Sequence, residues 1–108
     1  MNVHKLDEMV RGWFVGPFEP TAHHTRDAEV CVKSYVAGEA EARHVHKVAT
    51  EVTAVISGTV RMDGRELRAG DVAVLAPGEA SDFLAVTDAT VVAVKTPAVT
   101  GDKYLLED

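Results

Sequence analysis

The chain has a single cysteine, Cys31, in 108 residues, so it cannot form an intrachain disulfide. Cys31 sits within the valine-containing run 30–36, where a free thiol behaves as a small hydrophobe, and a reducing compartment is its natural setting. Basic residues are also in short supply: 11 lysines and arginines against 17 aspartates and glutamates leave a net charge of −6. Nucleic-acid binders replace phosphate counterions with a basic patch, so no nucleic-acid partner is expected. No stretch approaches the roughly 20 apolar residues of a membrane span. Asp7, Glu8 and Arg11 interrupt the segment where a signal peptide would carry its apolar core. The expectation is a cytoplasmic protein with no membrane partner.

What is present points to one compact domain. A chain of 108 residues has room for a single core, and a hydrophobic fraction of 46% with 26% charged residues is that of an ordinary globular protein. Residues 1–27 read as an N-terminal arm that packs on the main domain or on a partner subunit. In it Leu6, Met9, Val10, Trp13 and Phe14 fall at helix-like spacings before Gly16, Pro17 and Pro20 break the pattern. Residues 28–96 form the body. Short segments rich in valine, alanine and threonine, each closed by glycine, proline or aspartate, predict strands at 28–36, 42–46, 51–57, 59–62, 65–67, 71–75, 81–85 and 89–95. Asp63-Gly64 marks a tight hairpin between Met62 and Arg65. Such a succession is all-β and suits a double-sheet jelly roll. Residues 97–108 form a tail that is polar except for Tyr104, Leu105 and Leu106.

The stretch from Gly38 to Gly58 carries the chemistry. Strand side chains alternate faces, so His44 and His46 project to the same side, about 7 Å apart along the backbone. Residues 47–50 can turn the chain and bring the Glu51 carboxylate beside them. Two neutral imidazoles and one carboxylate are a ligand set for one divalent metal ion, and Fe, Zn, Mn or Ni would each suit it.

Gly38, five residues, His44, one residue, His46, four residues, Glu51, six residues and Gly58 together match the first sequence motif of the cupin superfamily. The run Gly70–Phe83 resembles the second motif incompletely: Gly70, Asp71, Pro77 and Gly78 are in place, but Ser81 stands where the family usually has a third metal-binding histidine. The resemblance covers about residues 28–96. It implies a double-stranded β-helix, a jelly-roll barrel, with His44, His46 and Glu51 as metal ligands, a small-molecule ligand or substrate, and a homodimer, which the apolar arm with Trp13 and Phe14 would serve.

The wall opposite the ligands is unusual. Asp82 is expected as a catalytic general base or fourth ligand, which requires a bulge or register shift to turn it inward in place of Ser81. Lys33 and Tyr35 share one strand face, and Lys95 lies near the end of the last strand. If these point inward they form the substrate-binding groups, the lysines meeting a carboxylate or phosphate. His23 and His24 read as surface residues near the barrel mouth, and Glu39 and Glu41 as loop carboxylates on the approach to His44. The expected function is a metal-dependent enzyme acting on a small polar or anionic metabolite, by oxygenase, isomerase or lyase chemistry. The alternative is a non-catalytic cupin that binds or senses a carbohydrate-like small molecule.

Overall fold

The computed structural model describes residues 1–106; the last two residues of the expected tail lie outside that range. In chain order its strands are β1 (Trp13–Val15), β2 (Glu29–Tyr35), β3 (Ala40–Val45), β4 (Thr50–Ser57), β5 (Thr59–Met62), β6 (Arg65–Arg68), β7 (Val72–Leu75), β8 (Ala80–Ala85), β9 (Ala89–Thr96) and β10 (Tyr104–Leu105). They form two five-stranded antiparallel sheets, ordered β1-β2-β9-β4-β7 and β10-β3-β8-β5-β6. This is the jelly-roll architecture expected from the strand pattern. The hairpin at Asp63 and Gly64 has both residues at positive φ, 49° and 76°, which is the two-residue turn that matches strand twist. No helix among the described residues is long and apolar enough to cross a membrane.

Period-two alternation builds the interior. Val55 on β4, Val60 and Met62 on β5, Phe83 and Ala85 on β8, and Ala89 and Val91 on β9 fill the space between the sheets, with Tyr35, Leu67, Ala73 and Leu75 packed against them. One step further along the sheet the filling stops. Cys31, Ala93 and Thr53 are register partners across β2, β9 and β4. These three side chains are too small to reach the facing sheet, and Ala93 and Thr53 become part of a cavity wall. Cys31 is fully buried, and burial pushes its thiol up to about 11, so it packs as a hydrophobe and is not a nucleophile.

The arm differs from its helix-like spacing. It makes two 3-10 turns, Leu6–Glu8 and Val10–Gly12, and then enters β1, which pairs with β2 through Trp13 opposite Cys31. The helix stops because Arg11 and Gly12 both have positive φ, 52° and 78°. Gly12 also lies against the β2 backbone so closely that an added Cβ would stand 1.9 Å from the Val32 carbonyl oxygen. Replacing Gly12 by Ala should therefore displace the arm. Trp13 is the only tryptophan, so its fluorescence reads this directly: the expected result is a red-shifted emission and a lower urea midpoint, whereas an unchanged spectrum would mean that the close approach is dispensable.

Candidate metal centre and its cavity

The ligand atoms of His44, His46 and Glu51 all lie within 4.8 Å of one another. His44 is the penultimate residue of β3, His46 follows that strand, and Glu51 is the second residue of β4, so the turn at 47–49 folds the carboxylate onto the imidazoles. The two rings stand edge to face with centroids 5.2 Å apart.

Each ring is fixed by its other nitrogen. His44 Nδ1 is 2.9 Å from the Ala42 carbonyl oxygen and His46 Nδ1 is 2.5 Å from that of Asp102. A carbonyl only accepts, so both Nδ1 atoms carry the proton and both Nε2 atoms present lone pairs. His46 Nε2 lies 3.0 Å from Glu51 Oε2. The two atoms lack hydrogen-bond alignment, and each is buried without any hydrogen-bond partner among the described residues. Buried acceptors left unpaired are costly, typically by about 1–3 kcal/mol each. A divalent cation between them satisfies both, and the donor set fits one.

Asp102 is a site residue that sequence reasoning missed. It is buried although it belongs to the tail. Its main-chain carbonyl holds His46, and its carboxylate accepts the backbone N–H groups of Lys47, Val48 and Ala49 at 2.9–3.2 Å. Burial favours protonation, but the N–H groups of Ala49, Lys47 and Val48 and the nearby His46 outweigh it and hold the carboxyl below its usual range. A lone aspartate in a polar tail gives no signal of this; only the docking of the tail reveals it.

Glu41 was read as a loop carboxylate, and the structure places it inside. Ser81 and Phe83, two apart on β8, pair with His44 and Glu41, three apart on β3. The extra residue is a bulge in β3, and it puts Glu41 and His44 on one face although their odd spacing would separate them in a regular strand. The bulge expected near Asp82 is thus on the neighbouring strand β3, and β8 has no register shift there to turn Asp82 inward in place of Ser81. Strand β8 alternates regularly, Ser81 and Phe83 are buried, and Asp82 is exposed with Oδ1 accepting the Asp63 N–H at 2.9 Å. Its side chain is committed to the β5–β6 hairpin. Ser81 is buried beside His44, and its hydroxyl donates to the Asp82 carbonyl at 2.7 Å.

A cavity of 430 Å³ opens on the ligands, and Lys33, Tyr35 and Lys95 line it together with Glu41 and Trp13. The Tyr35 hydroxyl donates to Glu41 Oε2 at 2.5 Å, and Lys33 Nζ lies 3.8 Å from the same oxygen. Burial, reinforced by the Glu41 bond and charge, pushes the Tyr35 phenol far above its ordinary range. Glu41 is moved the other way: burial raises it, but the Tyr35 bond, the charges of Lys33 and Lys103 and the nearby His44 ring together hold it below the usual value. Lys33 and Lys95 both approach the Trp13 ring, with Nζ 5.2 and 4.7 Å from its centroid. Lys95 makes no ion pair among the described residues. His23 and His24 are exposed and do not line the cavity. Trp13, in the arm expected to pack on the barrel or on a partner subunit, forms part of this chain's own cavity wall.

No protein-family model matches the chain, and no curated protein sequence does. Solved structures do match. An uncharacterized conserved protein with a double-stranded β-helix domain from Klebsiella pneumoniae is 26% identical with a TM-score of 0.73, covering 100% of this chain and 99% of that one. A sugar phosphate isomerase of the cupin superfamily from Silicibacter pomeroyi is 24% identical with a TM-score of 0.61, over 65% of this chain and 50% of that one. By fold, this chain is a double-stranded β-helix protein. A third structure, the DMSP lyase DddQ from Ruegeria pomeroyi, shares the fold at 17% identity and a TM-score of 0.70, over 86% of this chain and 49% of the other. This chain thus spans about half the length of the two named enzymes.

The Tyr35–Glu41 pair gives this protein a testable acid limb. Because Glu41 is held below its ordinary pKa of 4.5, the ionised carboxylate contributes stability that is fully present above that pH and is lost as pH falls through the lowered native value. Urea unfolding at a series of pH values should show wild-type stability declining more steeply below pH 4.5 than that of Glu41→Gln. Parallel curves would show that the Glu41 charge contributes nothing.

Proposed function

We propose that this cupin is a metal-dependent enzyme that acts on a small anionic metabolite. The observation that carries the reading is the pair of orphaned, buried lone pairs on His46 Nε2 and Glu51 Oε2, facing His44 and a cavity. His44, His46 and Glu51 would hold one divalent ion, and such an ion supplies Lewis-acid polarisation of a substrate oxygen. Similar folds are found in a lyase and in a sugar phosphate isomerase, which supports catalysis over simple binding.

The rest of the cavity suits an anion. Lys95 lies directly across the strand pair from Glu51 and, among the described residues, is the cavity lysine without an ion pair, so it is the group to meet a substrate carboxylate or phosphate. Lys33 is partly neutralised by Glu41 and adds to the same field. Trp13 closes one side and supplies an apolar surface that limits water. Tyr35, kept protonated by burial and by Glu41, is a fixed hydrogen-bond group that orients the carboxylate behind it. A cavity of 430 Å³ admits a metabolite of a few carbons and excludes a polymer.

Elemental analysis of untagged protein is expected to find one equivalent of Fe, Zn, Mn or Ni, and His46→Ala is expected to lose it while retaining its β-sheet circular dichroism. In a thermal-shift screen of small carboxylates and phosphates, the metal-loaded protein should be stabilised by at least one anion, and Lys95→Met should abolish that shift. Metal-free wild-type protein that cannot be reloaded would refute the proposal.

A further inference from the structure

The metal site is finished by the C-terminal tail, and little else holds that tail down. Strand β10 contributes two register pairs, Tyr104 with Val45 and Leu105 with His44. Leu105 is 71% exposed and Tyr104 41% exposed, so apolar burial contributes little to docking. The Lys47 ammonium lies 4.0 Å from the Tyr104 ring centroid, and the Leu106 N–H donates to the Arg43 carbonyl at 3.1 Å. The buried anchor is Asp102. Its carboxylate gathers the N–H groups of three consecutive residues, Lys47, Val48 and Ala49, in the turn between His46 and Glu51. Its carbonyl fixes the His46 proton on Nδ1 and so aims Nε2 at Glu51.

We propose that the tail is a latch coupled to metal binding, with Asp102 as its positioning residue. The proposal rests on the metal reading above and adds a reciprocal linkage to it. With the tail docked, His46 Nε2 is oriented and the 47–49 turn holds Glu51 beside it, so the ion meets a prepared site. With the tail released, His46 loses its partner and the three turn N–H groups lose their acceptor. Lys103, which lines the cavity and lies 4.0 Å from Glu41, leaves with it. Because coupling between two events is symmetric, an ion that favours the docked tail must also protect it.

Two measurements on the full chain test this, with Co2+ as the probe. In a titration followed by visible absorbance, the wild type should take up one equivalent. Asp102→Ala should bind about 10- to 100-fold more weakly, the usual effect of removing a partner that orients a ligand, while its circular dichroism stays that of the barrel. In hydrogen exchange on the wild type, Co2+ should slow the amides of Lys47, Val48, Ala49 and Leu106. Equal Co2+ affinity in wild type and Asp102→Ala overturns the latch while leaving the metal reading intact. Unchanged exchange on adding Co2+ does the same, and it decides the matter even if Asp102→Ala fails to fold. A wild type that takes up no Co2+ overturns the latch and the metal reading together.

Discussion

Three lone pairs that must point at one spot constrain the rest of this molecule. His44 and His46 offer Nε2 only because their Nδ1 protons are engaged by main-chain carbonyls, and those carbonyls come from distant parts of the chain, Ala42 within β3 and Asp102 in the tail. Glu51 arrives from the next strand across a turn that Asp102 clamps. The buried, unpaired His46 Nε2 and Glu51 Oε2 are therefore held in place by hydrogen bonds made elsewhere, which is how proteins keep a costly polar arrangement ready for an ion.

The cavity follows from where side-chain size runs out. At one level of the barrel, Val55, Val60, Val91 and Phe83 close the gap between the sheets and supply the hydrophobic core. At the next, Cys31, Ala93 and Thr53 leave it open. The polar groups gathered around that opening are mutually compensated to different degrees. Glu41 answers Tyr35 and Lys33, whereas Lys95 makes no ion pair among the described residues and approaches the face of Trp13. The register of β9 against β4 sets this lysine opposite Glu51 at the cavity.

Strand positions and the ligand triad were legible in the residues because both depend on local, short-period rules. The eight body strands were expected within two residues of where they lie, since alternation and turn residues mark them. His44, His46 and Glu51 carry their spacing in the sequence itself. The arm was less legible: its helix-like spacing yields to two 3-10 turns because Gly12 is used for a close approach to Val32 that no pattern announces.

The sequence by itself determined an all-β domain and that His44 and His46 project to one side, because a period of two needs only the chain's own order. The tertiary structure alone decided the surroundings of that site. Glu41 turns toward the side of His44 and the Asp82 carboxylate turns to Asp63 because the bulge lies in β3 and not in β8, a choice made by the pairing of two strands about forty residues apart. Lys33 and Lys95 face inward because of sheet register and closure. Asp102 acts on His46 from 56 residues away through a contact that exists only after the tail has docked.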